Sequence, residues 1–207
     1  MDRFDWLRKL DVKVVLDGGA NQGQWVEYCR QIWPDAKYVC FEPLPECASN
    51  IPRDDKVTVV EMALGDRFGK VSFNRSSFNQ SSSVLKMGDL HKKLYPFSAG
   101  ESTCEVEMTT MDEWCEKSGV WPDLVKLDLQ GYELQAMIHS PRVMMKAKVV
   151  CCETSFLELY DGQPLFGEVH DYMTQIGFRY MGCIQPPMGS PEDGTPLEED
   201  SWWVKVV

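Results

Sequence analysis

A short glycine-rich run near the start of the sequence has the residue types and spacing of a ligand-binding turn. Val14 to Leu16 are apolar, Asp17 follows, and Gly19 and Gly23 lie within the next six positions. We predict a strand, a turn and then a helix here, because β-branched residues give way to glycine and then to a helical pattern. In an open parallel sheet, ligands bind at such a turn. We expect the glycines to let the backbone approach a ligand and the helix start to offer free N–H groups to a carboxylate.

The spacing of these glycines distinguishes between two cofactors. A dinucleotide requires G-x-G-x-x-G, so that the backbone can wrap a pyrophosphate, whereas this chain has D-x-G-x-x-x-G from Asp17 to Gly23. The Asp17 carboxylate would repel a pyrophosphate but suits the ammonium of a methionine moiety, directly or through water. We therefore predict S-adenosylmethionine as the cofactor. Glu42, at the end of the second predicted strand, is expected to bind the ribose hydroxyls, the alternative being a solvated carboxylate.

Five runs along the chain together resemble the FkbM-type S-adenosylmethionine-dependent methyltransferases. They are VLDGGANQG, FEP, ALGD, FNQSSSVL and LVKLDLQGYE. The resemblance implies an α/β, Rossmann-like three-layer sandwich, whose mostly parallel seven-stranded sheet has an antiparallel last strand, and O-methylation of hydroxyls on sugars or natural products. The family more often has Val-Glu-Gly after the acid of its fourth strand. Here Leu129, Gln130 and Gly131 follow Asp128, which leaves the role of position 130 open.

The resemblance also implies which residues bind the cofactor. Asn79 to Ser83 form a polar run that is expected to bind cofactor or acceptor, the alternative being a solvated turn. Asp128 is placed between cofactor and acceptor. The implied cofactor-binding residues are Asp17, Gly19, Ala20, Asn21 and Gly23 at the methionine end, Glu42 at the ribose, Ala63 and Leu64 near the adenine, then Ser82 and Asp128.

Methyl transfer to an alcohol requires the hydroxyl to lose a proton. The sulfonium methyl is already activated, so the protein has to align the acceptor, exclude water and supply a base. Asp128 and Glu153 each end a predicted central strand, and we predict that one of them is the base or a metal ligand. The alternative is that Asp128 only orients the cofactor or caps the next helix. A divalent metal would also acidify the hydroxyl, but no residue pattern indicates one, and we assign no metal ligands.

The three histidines are weaker candidates than these acids. His139 is predicted late in one helix and His170 in the middle of another, so both are expected to be structural or surface residues. His91 lies in the middle segment, from which it would have to reach over the cleft, and we do not assign it to the site. Core packing is expected for most other aromatic candidates, namely Trp25, Tyr132 and Phe156, and for at least one of Trp202 and Trp203.

The elements that position these residues alternate between short apolar strands and helices, which predicts a parallel sheet covered on both faces. Between residues 65 and 100 the alternation of strands and helices is interrupted. We predict a small hairpin elaboration there, in which residues 71–73 pair with residues 84–85. The prolines within 185–200 are expected to exclude regular structure there. The predicted strands are 13–17, 37–41, 57–64, 123–128, 147–153 and an antiparallel pair at 178–184 and 201–207. The predicted helices are 22–33, 112–117, 132–139 and 166–176.

Length and charge exclude several function classes. The 207 residues suit one domain spanning 1–207. The net charge of −11 leaves no basic footprint for nucleic acid or anionic lipid. No apolar run approaches the ~20 residues that span a bilayer, and the charged N-terminus is unlike a secretory signal. We therefore expect a cytoplasmic protein whose partner is a small-molecule acceptor, with no nucleic acid and no membrane.

Three functions are consistent with these features. We favour an O-methyltransferase that acts on a hydroxyl of a sugar or small natural product. A methyltransferase directed at nitrogen or at a protein side chain is the first alternative, and an amine acceptor would need no strong base. A non-catalytic S-adenosylmethionine-binding protein of the same fold is the second.

Overall fold

The computed structural model describes residues 5–206, which form eleven strands and seven α-helices. No helix among these residues is long and apolar enough to cross a membrane, and the cytoplasmic location stays a prediction. The strands are β1 (Val14–Gly18), β2 (Lys37–Phe41), β3 (Val57–Val60), β4 (Ala63–Leu64), β5 (Gly69–Ser76), β6 (Glu101–Thr109), β7 (Leu124–Leu127), β8 (Val149–Ser155), β9 (Phe178–Cys183), β10 (Met188–Gly189) and β11 (Pro196–Lys205). The helices are α1 (Gln24–Arg30), α2 (Pro45–Ala48), α3 (Asp89–Leu94), α4 (Met111–Ser118), α5 (Glu133–Ile138), α6 (Pro141–Lys146) and α7 (Phe166–Gln175).

The main sheet has the strand order β3-β2-β1-β7-β8-β11, and both β9 and β10 pair with β11. Strands β1, β2, β3, β7 and β8 are parallel to one another, whereas β11 is antiparallel to β8, β9 and β10. The predicted mostly parallel sheet with an antiparallel last strand is therefore confirmed, with the two-residue β10 as an addition. The strand order changes direction between β1 and β7, so the carboxyl ends of these two strands are the expected place for a ligand.

Side chains that alternate along the strands divide the core into two layers. Leu16 and Val125 pack in the layer covered by α4 to α7, while Val15 and Leu124 pack in the layer covered by α1. Trp203 and Trp202 are both buried, one in each layer. The four predicted helices are present as α1, α4, α5 and α7, with ends shifted by at most three residues. Val207, the last residue of the predicted terminal strand, lies outside the described residues.

The prediction of one strand over 57–64 is wrong in its second half. Strand β3 ends at Val60, and the chain bends where the Met62 N–H donates to the Val60 carbonyl at 2.9 Å. Strand β4 then joins a separate three-stranded sheet with the order β4-β6-β5.

The predicted partner of the middle hairpin is also wrong, although the elaboration itself is present. Strand β5 pairs along its whole length with β6, from Gly69 opposite Met108 to Ser76 opposite Glu101. The segment 84–85, which was expected to pair, forms no strand, and Ser83 directly before it forms a single bridge with Asn74. It follows a 3₁₀ turn at Asn79–Ser81, which leaves it too short for a ladder.

The prediction that 185–200 has no regular structure is wrong as well. Strand β11 begins at Pro196, where a missing N–H is tolerated at the start of a strand. From Glu198 onward β11 pairs with β8, and Asp200 lies opposite Glu153. The reversed strand therefore carries two further carboxylates to the same edge of the sheet as Glu153.

Candidate cofactor and acceptor site

A cavity of about 520 Å³ opens beyond the carboxyl ends of β1, β2, β7 and β8. This volume is within the usual range for a small-molecule site. Of the eleven residues that the sequence predicts for the site, Asp17 and Gly23 do not line the cavity. The nine that line it are Gly19, Ala20, Asn21, Glu42, Ala63, Leu64, Ser82, Asp128 and Glu153.

The glycine-rich turn is tied to the end of β2. The N–H groups of Gly19 and Ala20 both donate to the Phe41 carbonyl, at 3.0 and 2.9 Å. The Asn21 N–H donates to Glu42 Oε2 at 3.0 Å. These three N–H groups therefore hold the turn to its neighbouring strand, and the expectation of free N–H groups at the start of α1 stays a prediction.

Gly19 has a specific steric reason to be glycine. Its φ is +73°, and a Cβ at this position would lie 1.9 Å from the Asp128 carbonyl oxygen. The turn after β1 and the segment after β7 thus touch through their backbones. Gly23, with φ of +86°, precedes α1 and packs on Pro52 outside the cavity.

Glu42 presents a buried carboxylate to the cavity. Its two oxygens accept hydrogen bonds from the N–H groups of Asn21 and Leu44, at 3.0 and 2.9 Å. Burial raises the pKa of Glu42 to about 7, although both N–H groups act in the opposite direction. Each carboxylate oxygen keeps a second lone pair, so Glu42 can still accept from two hydroxyls of a ligand.

Asp17 lies behind the cavity wall as half of a buried ion pair. Its side chain is fully buried, and Lys126 Nζ lies 3.2 Å from Oδ1. The same ammonium is 3.5 Å from Asp128 Oδ2 and donates to the Gly19 carbonyl at 3.2 Å. Burial lowers the pKa of Lys126, but the attraction of Asp17 and Asp128 is greater and raises it overall. Lys126 lines the cavity, so an influence of Asp17 on a ligand would pass through this lysine.

Gln130 joins the two predicted catalytic acids. Its amide nitrogen donates to Asp128 Oδ1 at 2.7 Å and to Glu153 Oε2 at 2.9 Å. Its amide oxygen accepts from the Tyr160 hydroxyl at 2.6 Å. Gln130 has a left-handed backbone with φ of +55°, which turns its side chain back over the end of β7. Asp128 and Glu153 thus lie close together, and the amide of Gln130 bridges them.

The two acids have different surroundings. Asp128 has the Lys126 ammonium as a neighbour, while Glu153 has no ion pair within the described part of the chain. Burial raises the pKa of Glu153 well above its usual value, and the nearby carboxylates of Asp128 and Glu198 raise it further. Burial and Asp128 likewise raise the pKa of Glu198 to about 7. The site therefore has more carboxylates than cations to neutralise them.

Three carboxylates, those of Asp128, Glu133 and Glu153, have oxygens within 4.8 Å of one another. Glu133 Oε1 already accepts the N–H groups of Leu129 and Gly131, at 2.6 and 3.2 Å. The Gln130 amide occupies the space between the other two. Their hydrogen bonds thus account for this grouping without a metal ion.

The polar run after β5 forms a third side of the cavity. Asn79, Ser81 and Ser82 line it. Ser83 instead faces the segment after β7, where its hydroxyl donates to the Gln130 carbonyl at 2.8 Å. The run therefore fixes the position of the Gln130 loop as well as offering polar groups to a ligand.

The histidines and aromatics divide between the cavity and the rest of the molecule. His91, Tyr132 and Trp25 line the cavity, and Trp25 stacks on Trp202. His139 is exposed directly after α5, and His170 lies in α7. Phe156 stacks on Phe166 away from the cavity.

Sequence reasoning missed four residues of the site. Lys126 had a visible signal, because a lysine inside the apolar run LVKL is unusual unless it is paired. Gln130 was noted only as a departure from the family pattern. Tyr160 and Glu198 gave no signal, since their place depends on long-range packing.

The geometry agrees with a known family. Residues 17–180 match the family model described as the Methyltransferase FkbM domain. The chain belongs to this family. The 2-O-methyltransferase NoeI of Sinorhizobium fredii (strain NBRC 101917 / NGR234) is 29% identical to this chain over 161 residues, which cover 72% of this chain and 66% of NoeI.

Solved methyltransferases share the fold of this FkbM domain. The crystal structure of Methyltransferase FkbM from Methylobacillus flagellatus KT matches with a TM-score of 0.57 at 13% sequence identity. The match covers 94% of this chain and 44% of the M. flagellatus chain. The plantazolicin methyltransferase BpumL, in complex with a triazolic desmethylPZN analog and SAH, matches with a TM-score of 0.53 at 11% sequence identity. The match covers 100% of this chain and 83% of the BpumL chain. The chain thus spans less than two thirds of the NoeI and M. flagellatus proteins. The predicted methyltransferase family and its fold are confirmed, and S-adenosylmethionine as the cofactor stays a prediction.

Proposed function

We propose that this chain transfers the methyl group of S-adenosylmethionine to a hydroxyl oxygen of a sugar or small natural product. The observation that supports this most directly is the pair of strand-end carboxylates, Asp128 and Glu153, which Gln130 holds beside the glycine-rich turn. An oxygen acceptor needs such a base, whereas an amine does not. The name of NoeI, a 2-O-methyltransferase, supports an oxygen acceptor as well.

The cofactor end of the cavity suits S-adenosylmethionine. Glu42 offers a buried carboxylate to the ribose hydroxyls, Ala63 and Leu64 offer an apolar surface to the adenine, and Gly19 leaves room at the turn. When bound, the cofactor supplies an activated methyl group on a positively charged sulfur. The surplus of carboxylates around Asp128 also favours a cationic group in this part of the cavity.

We assign the role of base to Asp128 and a positioning role to Glu153. Asp128 lies beside Lys126 and lines the cavity. The raised pKa of Glu153 means that it retains a proton more readily than an ordinary glutamate. In the proposed mechanism the acceptor hydroxyl would donate a hydrogen bond to Asp128, which would take its proton as the methyl group passes from the sulfur to the acceptor oxygen. Glu153 orients Asp128 through Gln130.

The first test is a calorimetric titration with S-adenosylmethionine, S-adenosylhomocysteine and NAD. We expect micromolar binding of both sulfur compounds and none of NAD. Glu42→Ala should weaken this binding at least tenfold, because it removes the acceptor for the ribose hydroxyls. Asp171→Ala, at an exposed position in α7, is the matched control and should bind as the wild type does. Well-folded wild type that binds neither sulfur compound would contradict the proposal.

The second test separates binding from catalysis. With a panel of 4-nitrophenyl and methyl pyranosides as acceptors, we expect Asp128→Asn to lower turnover by about 10²–10⁴-fold, which is the usual contribution of a general base. Its affinity for S-adenosylhomocysteine should stay within about twofold. Full turnover by Asp128→Asn would remove Asp128 from the mechanism, and activity on amines alone would favour a nitrogen acceptor.

A further inference from the structure

The wall of the cavity contains a buried imidazole that has no hydrogen-bond partner among the described residues. His91, in α3, is 5% exposed and lines the cavity. Among the described residues, neither of its ring nitrogens has a hydrogen-bond partner. Each of these nitrogens also exposes less than 1 Å² in this conformation. Buried polar groups are nearly always hydrogen-bonded in proteins, so we expect the ring to turn one nitrogen toward a ligand bound in the cavity.

The side chain of Tyr160 lies between His91 and the carboxylates of Asp128 and Glu153. Its ring is edge-on to that of Tyr160, with the centroids 5.1 Å apart. The Tyr160 hydroxyl in turn donates to Gln130, which holds Asp128 and Glu153. Because Tyr160 stands between, His91 is placed to bind the acceptor beside the reacting hydroxyl rather than to remove its proton.

The mouth of the cavity next to His91 has an apolar rim. Phe78 and Phe97 are 42% and 63% exposed, and their rings meet edge-on at 5.4 Å. Met188 is 50% exposed, and its sulfur accepts a hydrogen bond from the Tyr95 hydroxyl at 3.2 Å. All four residues line the cavity. Exposed apolar groups gathered at a cavity mouth are typical of ligand contact.

We propose that these five residues form the acceptor-side wall and that it selects glycosides whose substituent is an aryl group or an alkyl chain much longer than methyl. His91 hydrogen-bonds a ring hydroxyl or ring oxygen other than the methylated oxygen. The rim of Phe78, Phe97 and Met188 packs against the substituent. This inference rests on the proposed function, which it deepens by naming the substrate class. It makes His91 and Phe97 determinants of specificity, not catalytic residues.

The wall has the two kinds of contact that a glycoside requires. Pyranose rings offer hydroxyls that both donate and accept, and a neutral imidazole has one nitrogen of each kind. Aromatic side chains bury large apolar area and leave their ring faces available for stacking. An unsubstituted sugar would use only the first contact, which is why we expect the substituent to matter.

The test uses the full chain saturated with S-adenosylhomocysteine. Matched 4-nitrophenyl and methyl pyranosides of glucose, galactose and mannose are titrated by ligand-observed NMR. We expect at least one 4-nitrophenyl pyranoside to bind about tenfold more tightly than its methyl counterpart. His91→Phe should weaken that binding about tenfold, and His91→Asn should recover part of it by restoring a donor and an acceptor.

The controls separate this inference from the proposed function. His139→Phe, at the exposed end of α5, should bind the pyranosides as the wild type does. Phe97→Ser, at an exposed position, should erase the preference for the 4-nitrophenyl compounds even if His91→Phe were poorly folded. The inference is overturned if loaded wild type binds no pyranoside, or if His91→Phe and Phe97→Ser both bind as the wild type does. Failure of the wild type to bind S-adenosylhomocysteine would contradict the proposed function instead.

Discussion

The two ends of the cavity differ in how their polar groups are paired. On the cofactor side, the Gly19 N–H donates to the end of β2 and the Asn21 N–H to Glu42 directly after it. Asp17 has an ion pair with Lys126, although neither of its oxygens accepts a hydrogen bond among the described residues. On the acceptor-side wall, the His91 imidazole is unpaired and the apolar rim is exposed. The first arrangement keeps its shape without a ligand, which favours tight binding of one cofactor. The second lacks only the contacts that a ligand would supply.

This difference separates stability from specificity within one site. Substitutions on the cofactor side disturb groups that hold the sheet together, so they should alter folding. Substitutions on the acceptor-side wall disturb groups with few protein partners, so they should alter substrate choice with little effect on folding. Four predictions follow from that contrast, and each is a measurement of the free energy of unfolding.

The largest effect is expected at Lys126. Lys126→Met leaves the fully buried Asp17 carboxylate without a cation, which costs about 3–5 kcal/mol when a buried ion pair is broken from one side. Urea unfolding followed by circular dichroism measures this loss. The double variant Lys126→Met with Asp17→Leu should recover at least half of it, because the fully buried charge is then removed and only the partly exposed Asp128 carboxylate still lacks its cation. Equal instability of the single and double variants would show that the lysine acts through its other contacts.

A smaller, pH-dependent effect is expected at Glu42. Its pKa is about 7 in the folded chain against an ordinary value of 4.5. Between these values the unfolded chain has lost this proton and the folded chain still holds it, so stability falls as pH rises. From pH 4.5 to 7 the wild type should lose about 2–3 kcal/mol relative to Glu42→Gln. Parallel stability profiles for the two proteins would place the Glu42 pKa near its ordinary value.

At His91 we expect a gain of stability. His91→Phe replaces a buried imidazole that has no partner with an apolar ring, which removes an unsatisfied polar group and should stabilise the free protein by about 1 kcal/mol. Thermal unfolding at neutral pH detects this change. His139→Phe, where the side chain is exposed, serves as the comparison and should be neutral. A clear loss of stability in His91→Phe would mean that the imidazole has a structural role.

The smallest effect is expected at the apolar rim. Phe97→Ser should change the free energy of unfolding by no more than about 0.5 kcal/mol, since the ring is mostly exposed. Urea unfolding in the absence of ligand is the measurement. A larger loss would show that the Phe78–Phe97 contact belongs to the folded core, and the contrast between the two ends of the cavity would then be weaker.

The same contrast explains what the sequence could predict. Local patterns predict most of the site, because its residues lie at or near the ends of short apolar strands. They are the turn from Asp17 to Gly23, Glu42, Asp128 and Glu153. Nine of the eleven predicted site residues line the cavity. Their individual roles remain predictions, and the burial of Asp17 shows that a conspicuous residue need not face the ligand.

The errors fall where the structure depends on contacts distant in the sequence. Strand β5 pairs with β6, which begins 25 residues after β5 ends, and no local pattern distinguishes that pairing from a tight hairpin. Glu198 was missed because prolines around it predicted a loop, although β8 supplies a partner strand. His91 gave no usable signal either, since its burial comes from packing against Tyr95 and Tyr160.

Because β11 is antiparallel to its neighbours, the hairpin of β10 and β11 is a suitable place to exchange a segment of the chain. Because this strand runs opposite to its neighbours, the start of β11, and not its carboxyl end, lies at the cavity, and β10 folds back beside it. The tip between them, residues 191–195, is exposed, with Gly194 donating to the Ser190 carbonyl. Changes of length at this tip leave the β8–β11 register intact while moving Met188. A protein engineer could therefore exchange this hairpin between relatives to retarget the enzyme without redesigning its scaffold.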